Sequence, residues 1–140
     1  MPAVVTVDFV TNPATVRMVR KLAAAASRIE GATGFEAFLI EVAIGEVLTQ
    51  GWSWENTEAG SVTMRMELTR GRFIVSVTGH ETARQRDMPT NMHADSGLGW
   101  GLYIIAQLMD EVEIRHSVRQ TSELRLVKRL GEDRLAKEER

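Results

Sequence analysis

Residues Ala3 to Val10 alternate loosely between apolar and polar and are rich in valine, which predicts a strand. Asn12-Pro13 follows, a capping residue with proline at the first helical position. Val16, Val19, Leu22, Ala23, Ala26 and Ile29 then recur at the spacing of an amphipathic helix, with Arg17, Arg20, Lys21 and Arg28 expected mostly on its wet side. Gly31 and Gly34 punctuate its end, and Thr33 is placed to cap what comes next. From Phe35 to Gln50, Phe35, Phe38, Leu39, Ile40, Val42, Ala43, Ile44, Val47 and Leu48 cover nearly the whole circumference of a second helix. A helix apolar all round is expected to be buried between other elements. Glu46 interrupts it, falling within the Phe35/Leu39/Val42 stripe, with Gln50 one turn further on the same face.

Val62, Met64, Met66 and Leu68 alternate with Thr63, Arg65 and Glu67, and after a turn at Arg70-Gly71 a second run extends from Arg72 to Thr78. These predict a hairpin with one solvated face. Gly79 to Gly97 reads as a long loop, of the kind that is usually functional, often a lid, or else disordered. Leu102, Ile105, Ala106 and Met109 predict a short third helix, and Val112-Glu113-Ile114 and Leu124 to Val127 predict the closing strands. The order β-α-α-β-β-α-β-β groups like elements, so the expected class is α+β. It is a two-layer sandwich with a mixed, mostly antiparallel sheet and helices on one face. One domain over residues 1–130 with a charged tail at 131–140 is expected, with neither repeats nor low-complexity linkers.

Composition removes several activities. The chain of 140 residues has no cysteine, which excludes disulfides, thiolate metal sites and a cysteine nucleophile. Three histidines, His80, His93 and His116, fit no zinc spacing. A net charge of −2 gives no global argument for nucleic acid, and no apolar run approaches a membrane span. The first residues have no basic, signal-like region, so the cytoplasm is the expected compartment. The charge is uneven: residues 1–58 carry four Lys/Arg against seven Asp/Glu, and residues 59–140 carry thirteen against twelve.

Three features can carry chemistry. Gly97, Gly99 and Gly101, with Trp100 among them and Leu102 after, lead into a helix. Backbone N–H groups there can approach an anion closely, or the glycines can simply make a hinge. Glu46 can act as a general base with Gln50 beside it, or be a carboxylate hydrogen-bonded within the fold, or reach solvent on a rotated helix. Trp52, Trp54 and Trp100 can mark a partner surface or the core. Arg115, Arg119, Arg125, Lys128 and Arg129 form a local basic excess without interleaved aromatics, which reads as a wet sheet face rather than a nucleic-acid patch.

Taken together, Glu46 to Gln50, the hairpin and long lid, and Gly97-Leu98-Gly99-Trp100-Gly101-Leu102-Tyr103-Ile104-Ile105 with Leu108-Met109-Asp110-Glu111-Val112 resemble the GHKL-type, histidine-kinase-like ATP-binding domains. The ending Thr121 to Leu130 and the small size are similar to the anti-sigma-factor serine/threonine kinase branch. The likeness runs from about Thr6 to Leu130. It implies the Bergerat-type ATP-binding fold, ATP or ADP with Mg²⁺ as ligands, and Glu46 as the base for phosphoryl transfer. It also implies that an amide four residues on, here Gln50 where the family has Asn, holds Mg²⁺. Gly97, Gly99, Trp100, Gly101 and Leu102 would lie along the phosphates. The family's adenine-reading Asp follows the second hairpin strand and precedes two spaced glycines. Gly79 stands at the Asp position, and Glu81 and Ala83 stand at the glycines. The resemblance with these departures implies a bacterial regulator with a degenerate nucleotide site. Its partner would be an anti-anti-sigma (STAS-like) protein, a sigma factor or another regulator, and two copies would pair through the first strand and helix. The alternatives are an active kinase of the same family, and a binding domain for another small ligand stacked on Trp100.

Overall fold

The computed structural model describes residues 3–50, 61–69, 71–79, 97–116 and 122–131. In chain order these form β1 (Ala3–Val10), α1 (Pro13–Ile29), α2 (Gly34–Gln50), β2 (Ser61–Thr69), β3 (Arg72–Gly79), α3 (Gly97–Leu108), β4 (Glu111–His116) and β5 (Ser122–Arg129). The strands make one sheet in the order β1-β2-β3-β5-β4. All four pairings are antiparallel, so the described sheet is not mixed: β5 turns back between β3 and β4 and pairs antiparallel with both. The class is α+β, as the grouping of elements implies.

Alternation builds the core. Val62, Met64, Met66 and Leu68 of β2, Phe73, Val75 and Val77 of β3, and Leu124 and Leu126 of β5 are buried together with the inner faces of the helices. The intervening Arg65 and Glu67 pair with each other on the open face, and Arg125 lies 3.9 Å from Glu113. Two apolar residues are also buried there: Ile74 and Val127, direct cross-strand partners flanked in their row by Glu67 and Glu111.

Helix ends are fixed by side chains. Asn12 accepts from the Thr15 N–H and Thr15 Oγ1 accepts from the Asn12 N–H, a reciprocal cap ahead of Pro13. Gly31, at φ 103°, ends the α1 segment in the left-handed region. At the start of α2 the Glu36 carboxylate accepts from the Thr33 N–H at 2.9 Å, while the Glu36 N–H donates to Thr33 Oγ1 at 3.1 Å. The same carboxylate accepts the Gly131 N–H at 3.1 and 3.2 Å. Gly131, at φ 44°, lies so close that a Cβ there would stand 2.8 Å from the Gly31 carbonyl oxygen. One buried acid thus joins the α1–α2 turn to the end of β5.

Two expectations about the helices fail. α2 is not covered all round: Ala37, Ile40, Ala43, Ile44 and Val47 are buried, while Phe35 and Phe38 are 69% and 57% exposed. The sheet and two flanking helices cover most of α2, but nothing among the described residues lies over its outer side. Arg20 is not on the wet side of α1 but half-buried, its stem laid over Gly45, where a Cβ would stand 2.8 Å from Arg20 Cδ.

Replacing Glu36 by alanine removes the acceptor for two backbone N–H groups at once. A loss of about 2 kcal/mol in unfolding free energy is expected in urea titration.

Candidate functional site

The burial of Ile40, Ile44 and Val47 against the sheet sets the rotation of α2. Glu46 consequently lies on the outward stripe with Phe35, Leu39 and Val42, and all of these are at least partly exposed. Its carboxylate is nonetheless not fully wet: Oε2 is buried and accepts no hydrogen bond. An acceptor held in this way is costly unless something supplies a donor.

α2 packs against α1 on one side and α3 on the other. Contrary to the loop expected through the glycine segment, α3 begins at Gly97, so Gly97, Gly99 and Gly101 are helical residues. The apolar spacing Leu98, Leu102, Ile105 carries the helix through them despite the low helix preference of glycine. Among the helical residues of this end, the backbone donors without an internal acceptor are those of residues 97–99, because the N–H three residues after the first helical one already bonds back, as Val16 does to Asn12 and Ala37 to Thr33. Gly101, in the second turn, therefore offers no free N–H.

The other end of α3 is held to β5. Lys128 is 4% exposed and its Nζ donates to the Leu108 carbonyl at 2.9 Å, a cation at the negative end of the helix dipole. Asp110 N–H donates to the Val127 carbonyl at 2.8 Å, and the Arg129 N–H donates to Asp110 Oδ2 at 2.6 Å. Lys128 therefore leaves the basic cluster and faces the helical layer. Arg125, opposite Glu113, stays on a mixed-charge sheet face, as the wet-face reading requires.

Gly79 is the last residue of β3, buried, in register with Val62 on one side and Ser122 on the other. Gln50 is the last residue of α2, one turn beyond Glu46. Glu81, Ala83, the interior of the 79–97 lid, Trp52, Trp54, His80, His93, Arg119 and the tail from Glu132 lie outside the described residues. Among the described residues no three His, Asp or Glu side chains converge as a metal cluster, and no helix is long and apolar enough to cross a membrane.

The residues present fit one part of a nucleotide better than another. The start of α3 retains N–H groups suited to phosphate, and Glu46 keeps an acceptor in reserve. Gly79 supplies no side-chain acceptor for an adenine amine. Sequence reasoning missed the tie from Lys128 to Leu108 and the seat of Arg20 on Gly45. The signal for the second was available: a glycine inside an otherwise strong helix costs about 1 kcal/mol and often marks a close approach.

An antiparallel sheet with helices packed on one face, one helix bearing an acid with an unpartnered oxygen and its neighbour opened by glycines, is the architecture of an ATP-binding domain of the GHKL type. The model of the histidine kinase-like ATPase domain matches residues 9–128, and the chain belongs to that family. No curated protein matches it.

Glu46→Leu removes the unpartnered oxygen and extends the Leu39/Val42 stripe. A gain of about 1 kcal/mol in stability is expected, read as a higher melting temperature, as for groups kept for function rather than for the fold.

Proposed function

We propose that this chain is a regulatory ATPase-fold domain with a degenerate nucleotide site, acting in the bacterial cytoplasm by binding protein partners in a partner-switching pathway. Gly79 carries this reading. At the end of β3, where the family places an adenine-reading acid, there is a buried glycine between Val62 and Ser122. Gln50 adds to it. Its stem is longer by one methylene than that of the family's asparagine, and Mg²⁺ demands near-ideal octahedral ligands. Phosphoryl transfer depends on positioning and charge neutralisation, so a displaced metal ligand lowers the rate directly. The partners of this reading are an anti-anti-sigma (STAS-like) protein, a sigma factor or a related regulator.

A second reading, an active serine/threonine kinase, is favoured by one observation, the buried, unpartnered Oε2 of Glu46. Such an oxygen is what a general base needs free. Titration with ATP and Mg²⁺ by calorimetry separates the two. A dissociation constant weaker than about 1 mM is expected for the natural chain, and tightening of about tenfold for Gly79→Asp combined with Gln50→Asn. Submillimolar binding that Glu46→Ala abolishes would move the assignment to the kinase. A co-purified compound with no nucleotide response would move it to another small ligand.

The reading includes self-pairing. β1 is an edge strand without lysine or proline to guard it, and Val5 on its core side is 39% exposed. Met18, Leu22 and Ile29, at helical spacing along α1, are exposed as well. A two-fold pairing across β1 and this stripe would cover both. Sedimentation is expected to show a dimer that Leu22→Glu shifts to monomer.

A further inference from the structure

The outer surface of the helical layer carries a second feature, which shares the outward stripe of α2 with Glu46 and is separate from the Met18/Leu22/Ile29 stripe. On α2, Phe35 and Phe38 are largely exposed and Val42, one turn on, is partly so. On α1, Arg17, Lys21 and Arg28 recur at helical spacing and are all exposed. The two stripes run side by side. Arg28 Nη1 lies 3.2 Å from where a Cβ of Gly34 would be, and Arg20 lies over Gly45, so the cationic side of α1 faces the Gly34–Gly45 side of α2. Phe38 is one turn beyond Gly34 on that side.

The charge is concentrated there. All four Lys/Arg of residues 1–58 are on α1, in a half of the chain that is acidic overall, and α1 has no Asp or Glu. None of the four makes an ion pair among the described residues. On α2, Glu36 is committed to the cap, and Glu41 and Glu46 are only partly exposed. The surface is also preorganised, since the Glu36 carboxylate ties the α1–α2 turn to Gly131. Exposed aromatic side chains beside arginine, on a rigid support, have the make-up of a protein-binding hot spot.

We propose that the paired α1–α2 surface docks an amphipathic helix of a partner protein, with an apolar stripe seated on Phe35, Phe38 and Val42 and acidic residues along the side that meets Arg17, Lys21 and Arg28. Charge selects this occupant. A second copy placed face to face would set cations against cations unless offset, and the complementary stripe is acidic. The proposal rests on the reading of the chain as a protein-binding regulator. It does not involve nucleotide, so the ATP titration and the test below fail independently.

The probe is a fluorescent designed helix with leucine at each third or fourth position flanked by glutamate, alongside its lysine-flanked counterpart, titrated with the full chain by anisotropy without nucleotide. The acidic peptide is expected to bind at least about tenfold more tightly than the basic one, and to weaken as salt rises. Phe35→Ser with Phe38→Ser, and separately Arg28→Glu, are expected to weaken it by about tenfold or more. Both changes are at exposed positions, and an unchanged circular dichroism melt establishes that the variants fold. Equal binding of the two peptides, binding of neither, or unaltered binding by the serine variant overturns the proposal. So does self-association of the full chain that disappears with the same serine variant, which would make a second copy the occupant. Binding to anionic vesicles lost in both variants, with no preference for the acidic peptide, would replace the partner helix by a membrane surface.

Discussion

Ala37, Ile40, Ala43, Ile44 and Val47 reach near-zero exposure against the sheet, between α1 and α3, and that burial fixes the rotation of α2 about its own axis. Every other assignment depends on this angle. It turns Glu46 to the outer stripe, half covered and without a donor for Oε2. It presents Gly34 and Gly45 to α1, where the Arg28 guanidinium and the Arg20 stem lie against them. It leaves Phe35 and Phe38 in water. A rotation of one residue would exchange these roles, because neighbours on a helix point about 100° apart.

The layers are tied together by few polar contacts at element ends. Glu36 accepts from a turn and from the end of β5, and Lys128 on β5 reaches the last carbonyl of α3. Both side chains are buried and both use their charge on backbone groups, which is how a charge is kept inside at tolerable cost. The two contacts hold the start of α2 and the end of α3, so the facing ends of these helices, where Glu46 and the glycines are, are positioned from a distance.

Periodicity made the elements and their order readable, and local chemistry made the caps readable: Asn12 before Pro13, Thr33 three residues before Glu36. The open sheet face followed from alternation in β2. The exposure of Phe35 and Phe38 was not readable, since an apolar residue reports its preference and not the supply of partners to cover it. The helical state of Gly97 to Gly101 was hidden because glycine weakens the local signal while Leu98, Leu102 and Ile105 sustain it. The fate of Lys128 was hidden for another reason: its neighbours Arg125 and Arg129 lie on the opposite side of the same strand, and a charge count does not distinguish sides. For the candidate site, Glu46 and Gly79 could be singled out from the sequence. The unpartnered oxygen and the burial of that glycine needed coordinates.

The strand order has a consequence in time. β4 has no neighbour in the described sheet except β5, which follows every other strand in the chain. During synthesis β1, β2 and β3 can pair as soon as they emerge, with α1 and α2 above them. α3 and β4 have no sheet position to occupy until β5 arrives between β3 and β4. The same late segment delivers Gly131 to Glu36, a contact spanning 95 positions. A nascent chain therefore holds a partly closed sheet with a bare edge at β3, and long-range closure of this sort is slow and exposes such edges to other chains. The glycine-opened helix and its site are thus the last part of the molecule to take shape.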